Sequence, residues 1–205
     1  MTVDWGLLIF ICMAGYLAGS IPSGVIISKL AGIDNIMSYG SGNTGATNVF
    51  RVLGPKYAAI VLVMDILKGA LAAYLGLRYL DMGTVGAFIA GVFSIVGHNW
   101  SVFLGFKGGK GVATTAGVAL IVFPKILAVS AAAFLVVVAL SRYVSLGSLV
   151  GVWAGFAYSL LPEFTALDKL AVFGLAAVVT YRHRSNIERL ASGTELKLGK
   201  KGERI

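Results

Sequence analysis

The sequence predicts an all-α protein, a polytopic transmembrane helix bundle, and three observations carry that reading. The first is composition. Of 205 residues, 58% are hydrophobic and 13% charged, against about 25% charged in an average soluble domain, and mean hydropathy is +0.87. The second is spacing: apolar runs follow one another with short polar breaks between them. The third is charge. Lys and Arg collect in alternate breaks, the asymmetry that orients membrane proteins. Together these predict one integral membrane domain over residues 1–205, with seven spans, the N-terminus outside and the C-terminus cytoplasmic.

A hydrocarbon core of about 30 Å needs roughly 20 helical residues. Trp5 to Leu30 is long enough, and Pro22 should kink it. Tyr57 to Leu80, just after Pro55, is the second run. Thr84 to Val96 and Val112 to Phe123 follow. Both are short, so they read either as thin or tilted spans or as a re-entrant pair; removing two spans leaves the sidedness of every other loop unchanged. Ile126 to Leu140, Val144 to Leu161 and Leu170 to Tyr181 complete the set. Gly15 with Gly19, and Gly147, Gly151 and Gly155, form small-residue stripes that let such helices approach closely. Asp65 and Lys68 share a helical face at i, i+3 within the second run and read as a structural ion pair.

With this topology Lys29, Arg51, Lys56, Lys107, Lys110, Arg142 and the basic tail from Arg182 through Lys200, Lys201 and Arg204 fall on the cytoplasmic side. Net charge is +8. Because the basic residues flank apolar runs, anionic lipid and an anionic substrate explain them better than nucleic acid. The single cysteine, Cys12, excludes an intramolecular disulfide, and with two histidines a zinc site is not expected. No metal and no cofactor is expected. Met1 to Trp5 lacks a basic n-region, so the first run reads as a retained span rather than a signal peptide.

Three polar clusters share the cytoplasmic side. One runs from Ser38 to Arg51 and offers Ser41 and Thr47 hydroxyls; Thr47 is placed to cap a short helix carrying Arg51. An Arg there can grip a phosphate with two parallel hydrogen bonds. Another, Gly97 to Thr115, sets Gly105, Lys107, Gly108, Gly109, Lys110 and Gly111 close together with no acidic residue. Glycine-rich turns can aim successive N–H groups at an anion, so this stretch reads as a phosphate cradle at the membrane edge. It is not a Walker A loop: Gly111 follows Lys110 where Ser or Thr is required, and Gly105 is one position too close. The last cluster runs from Tyr181 to Leu190; on a helix His183 and Asn186 share a face near Arg182 and Arg189. The neighbouring carboxylates Asp34, Glu188, Glu195 and Glu203 have no clear orienting partner in the sequence. That leaves His183 as the side-chain candidate for a base.

These clusters, Ser41-Gly42-Asn43-Thr44-Gly45-Ala46-Thr47-Asn48 with Arg51, Gly97-His98-Asn99-Trp100 through Phe106-Lys107-Gly108-Gly109-Lys110-Gly111-Val112-Ala113-Thr114, and Tyr181-Arg182-His183-Arg184-Ser185-Asn186-Ile187 with Arg189, Gly193 and Glu195, closely resemble the bacterial acyl-phosphate-dependent glycerol-3-phosphate acyltransferases. The resemblance covers essentially the whole chain. It implies transfer of a fatty acyl group from acyl phosphate to the 1-hydroxyl of glycerol 3-phosphate, at the cytoplasmic face of the inner membrane, giving lysophosphatidic acid and inorganic phosphate. It implies that Ser41, Thr47, Arg51, Lys110, His183 and Asn186 hold glycerol 3-phosphate, with Lys110, His183 and Asn186 nearest the chemistry. Gly105, Lys107, Gly108, Gly109 and Gly111 would hold acyl phosphate. A monomer is the expected state, with membrane lipid as its surroundings. The rival reading is a small organic-phosphate transporter, supported by Asp65 with Lys68 and by the short third and fourth runs. One-sided polar chemistry and the lack of an internal repeat argue against it.

Overall fold

The computed structural model of the chain describes residues 4–199; Lys200, Lys201, Glu203 and Arg204, named above, lie outside the described residues. Every predicted apolar run is helical. Among the described residues the elements are α1 (Trp5–Ser20), α2 (Ser23–Leu30), α3 (Ala46–Leu53), α4 (Pro55–Tyr79), α5 (Gly83–Asn99), α6 (Val112–Val122), α7 (Pro124–Ser141), α8 (Val144–Ser159), α9 (Ala166–Arg182) and α10 (Arg184–Ala191). Single 3₁₀ turns sit at Ile36–Ser38 and Val102–Leu104.

The differences from expectation have local causes. Pro22 does not merely kink the first run; it splits it into α1 and α2, because proline has no N–H to continue the ladder. The third run continues through Gly97 to Asn99, so His98 and Asn99 belong to the last turn of α5. The last run starts earlier than predicted, at Ala166, where Thr165 and Asp168 form a reciprocal capping box. Thr47 is not a cap. Gly45 is the N-cap of α3 and Thr47 lies inside the helix, so the side chain expected to start it does not. α6 has 11 residues, about 16 Å at 1.5 Å per residue.

Among the described residues, three helical stretches are long and apolar enough to cross a membrane: Trp5–Leu30, which joins α1 and α2, Pro55–Tyr79 and Pro124–Ser141. Their outer faces carry exposed Phe10, Leu17, Leu67, Leu135 and Leu140, large apolar patches of the kind that mark a lipid-facing surface.

The described residues divide into two compact units between Val122 and Phe123. In the first, α4 packs against α3, α5 and α6, and α5 packs against α1. Glycine sets those crossings: a Cβ on Gly19 would overlap the backbone of Ser94, and one on Gly69 the backbone of Thr114. The small apolar core beneath the first cluster is Ile36, Val49, Ala58 and Val61. In the second unit α8 packs on α7 and α9. The stripe Gly147, Gly151 and Gly155 faces Val138, Phe134 and Ser130 of α7, close approach between helices as the spacing predicted.

Candidate active site

Asn48 builds the first cluster. It is buried in α3, and its amide nitrogen donates to the carbonyls of Ile36 (3.2 Å), Tyr39 (2.9 Å) and Asn43 (2.9 Å). Its oxygen accepts from the Ser41 N–H (2.8 Å) and hydroxyl (3.2 Å). One side chain therefore ties the loop before α3 to the helix and fixes where Ser41 stands. Arg51, one turn further along α3, is buried, while Thr47 is partly exposed. Sequence reading named the ligand-like residues of this motif and missed its organiser. The available signal was an Asn, a fixed-geometry amide with donors and an acceptor, closing a turn-rich stretch.

In the second cluster Ser101 plays the comparable part. Its N–H donates to the Lys107 carbonyl (3.1 Å), and its own carbonyl accepts from Phe106 (2.8 Å) and Leu104 (3.1 Å). Gly105 turns in the left-handed region and Lys107 is exposed at this turn. The glycines that follow have a specific steric reason. A Cβ on Gly108 would overlap the His98 carbonyl, one on Gly109 the His98 ring, and one on Gly111 would sit 2.7 Å from the Asn99 amide oxygen. The loop therefore lies directly on the last turn of α5. The Gly109 N–H donates to the His98 carbonyl (3.0 Å), so that group serves the fold. Lys110 is partly buried at the base of the loop.

The break at Pro22 leaves carbonyls outside the helical ladder, and polar side chains from elsewhere reach them. Ser101 Oγ donates to the Ser20 carbonyl (2.6 Å) and Lys68 Nζ to the Ile21 carbonyl (3.1 Å). Lys68 also pairs with Asp65 at 2.9 Å, as its i, i+3 spacing predicted. Asp65 accepts from Ser23 Oγ at 2.9 Å and lies 3.6 Å from His98 Nδ1. A single intramembrane charge costs at least about 2.5–3.5 kcal/mol; this network offsets that cost. A narrow recess borders these groups, and Thr44 of the first cluster and Gly108 of the second both line it. Ser41, Thr47, Arg51 and Lys110 do not line it.

The third cluster stands in the second unit. His183 is the junction between α9 and α10 and is buried, as is Asn186. His183 Nδ1 lies 2.8 Å from the Val179 carbonyl. A carbonyl only accepts, so Nδ1 carries the proton and Nε2 is the acceptor of the neutral ring. Gly193, at φ +71 after α10, turns the chain back and brings Glu195 onto the helix it has just left. There Glu195 accepts from Asn186 Nδ2 (2.7 Å), Arg189 Nε (2.7 Å) and Ser145 Oγ (2.9 Å). This corrects the expectation that Glu195 lacks a partner. Burial opposes its charge, and the three donors outweigh burial, so its carboxyl is held below the ordinary value.

Comparison with known proteins places the chain in a family. The family model described as glycerol-3-phosphate acyltransferase matches residues 9–193. The chain belongs to the glycerol-3-phosphate acyltransferase family. It is 47% identical over 191 residues to the glycerol-3-phosphate acyltransferase of Thermoanaerobacter pseudethanolicus, covering 92% of this chain and 94% of that one. The enzyme of the same name from Listeria monocytogenes is 44% identical over 199 residues, covering 97% and 98%. The fold is similar to the crystal structure of PlsY, an integral membrane glycerol 3-phosphate acyltransferase, in its glycerol 3-phosphate form. The TM-score there is 0.87 at 38% identity, over 94% of this chain and 96% of that one. The lysophosphatidic acid form gives 0.85 at 37% identity.

Membership in the glycerol-3-phosphate acyltransferase family makes this chain an enzyme, an acyltransferase, and disfavours the transporter reading. The family match runs through both compact units and all three clusters.

Proposed function

We propose that the chain transfers a fatty acyl group from acyl phosphate to the 1-hydroxyl of glycerol 3-phosphate, giving lysophosphatidic acid and inorganic phosphate. The observation that carries this reading is the pair of similar solved structures. One is a glycerol 3-phosphate form and the other a lysophosphatidic acid form. The two ligands differ by one acyl group, the group the reaction adds. The motifs supply the rest: basic residues and glycine turns suit two phosphate-bearing substrates, and apolar helices suit an acyl chain.

In this reading Ser41, Thr47, Arg51, Lys110, His183 and Asn186 hold glycerol 3-phosphate. Gly105, Lys107, Gly108, Gly109 and Gly111 hold the head of acyl phosphate. The glycerol oxygen attacks the acyl carbon, the bond from that carbon to the phosphate oxygen breaks, and the hydroxyl proton leaves. A phosphate oxygen of either substrate is the proton acceptor, and the protein positions the groups and neutralises charge. The tautomer of His183 supports an orienting role. Its Nδ1 proton faces a neutral carbonyl rather than a carboxylate, so no anion stabilises an imidazolium from that side, whereas Nε2 can accept a hydrogen bond from a hydroxyl. The chain acts as one monomeric domain with seven spans, in the inner membrane, its site facing the cytoplasm and its N-terminus outside.

The test is donor choice. Purified protein in detergent, given labelled glycerol 3-phosphate, should form lysophosphatidic acid with acyl phosphate and release phosphate in step. Acyl-CoA at equal concentration should support no turnover. Comparable rates with both donors would remove the assignment of acyl phosphate.

A further inference from the structure

The glycine loop rests on a buried histidine that no catalytic role so far described uses. His98 lies in the last turn of α5 with its ring buried between two partners. On one edge, Nδ1 is 3.6 Å from Asp65 Oδ1. That carboxylate is itself fixed by Ser23 Oγ and Lys68 Nζ, each at 2.9 Å. On the other edge, Nε2 faces Gly109 so closely that a Cβ there would overlap it. The main chain makes the same contact, since the Gly109 N–H donates to the His98 carbonyl at 3.0 Å. The loop is thus seated on His98 by ring and backbone together, one residue before Lys110.

We propose that His98, held by Asp65, is a positioning residue for the reaction: it sets the height and tilt of Gly108–Gly109–Lys110 and so aims Lys110 at a substrate phosphate. The inference rests on reading this loop as a phosphate cradle. The carbonyls freed at Pro22 are met by Lys68 and Ser101, whereas the His98 ring and carbonyl both meet Gly109 of the loop. Sites lose rate steeply when a supporting group lets them drift by an ångström.

The experiment is a double-mutant cycle on the full-length protein in detergent, using acyl phosphate and glycerol 3-phosphate. His98→Ala and Lys110→Ala should each lower kcat/KM by about 10- to 100-fold. The His98→Ala loss should fall mainly on the KM of a phosphate substrate. Because His98 acts through Lys110, the double variant should be within about threefold of the worse single. His98→Asn, which keeps a donor towards Asp65, should recover part of the loss. Losses that multiply in the double variant, or near-parental kinetics for His98→Ala, overturn the proposal while leaving the cradle reading intact. If Lys110→Ala itself keeps parental kinetics, the cradle reading falls and this inference falls with it. Should His98→Ala fail to fold by thermal melt, Gly109→Ala takes its place. Its Cβ presses on Nε2 from the loop side, so it must show the same KM loss and the same non-additivity with Lys110→Ala.

Discussion

Single side chains in the proposed site divide into those that would face a substrate and those that would hold them there. Arg51, whose guanidinium is buried on the short helix α3, is of the first kind in the proposed reading, as a phosphate ligand with a two-pronged grip. Hydrogen bonds to charged groups are worth about 1.5–3 kcal/mol, so Arg51→Ala should lower kcat/KM roughly 10- to 150-fold. Arg51→Lys should rescue poorly, because an ammonium lacks the planar fork. Parental kinetics for Arg51→Ala would leave it a buried structural cation. His183 separates two mechanisms. If it orients the acceptor through Nε2, His183→Gln and His183→Asn, which keep hydrogen-bonding groups without titrating, should retain more kcat than His183→Ala. The pH–rate profile should also keep its shape in the active variant. Polar variants as inactive as His183→Ala, in folded protein, would make His183 a general base.

At the scale of elements, the C-terminal turn after α10 is a device for fixing Asn186. Asn186, Arg189 and Ser145 come from two helices and meet on one carboxylate. Glu195→Ala should therefore disable catalysis more than its distance from the chemistry suggests, and lower Tm. Its pH signature has a definite sign. A carboxyl with a depressed native pKa binds fewer protons folded than unfolded, so its stabilisation is full above the ordinary value near 4.5 and is lost as pH falls through the depressed one. Thermal melts from neutral to acid pH should show a steeper acid loss for the parent than for Glu195→Gln. Equal slopes would mean that Glu195 contributes no charge-dependent stability. The sequence placed Glu195 and Asn186 in one motif, but a contact nine residues apart depends on the left-handed turn at Gly193, which no periodicity encodes.

For the whole molecule, the Lys/Arg asymmetry makes orientation testable. In a Cys12-free variant, single cysteines at Thr84 and Glu163, both exposed, should label from outside intact cells with a membrane-impermeant reagent. Cysteines at exposed Phe103 and Ala191 should label only after permeabilisation. Outside labelling at Ala191 would invert the topology. The third and fourth runs read as doubtful spans from their length, and they are helices of 17 and 11 residues. Helicity was legible because apolar length and composition state it; depth was not, because a short helix satisfies its own backbone at any depth that neighbours provide.

The sequence by itself determined the helical class, each apolar run, the intramembrane pairing of Asp65 with Lys68, the glycine stripes and the three motifs. Those are set by local composition and by i, i+3 and i, i+4 spacing, which the chain writes out directly. Only the tertiary structure decided the partners of Asn48, Ser101, His98 and Glu195. Each gathers backbone or side chains from several places: Ser101 reaches Ser20, His98 lies between Asp65 and Gly109, and Glu195 joins Ser145 to Asn186. Polar groups buried among apolar helices must find partners wherever packing brings them. Which partners those are depends on how helices cross and where Pro22 frees a carbonyl, information carried by the fold as a whole and by no stretch of sequence alone.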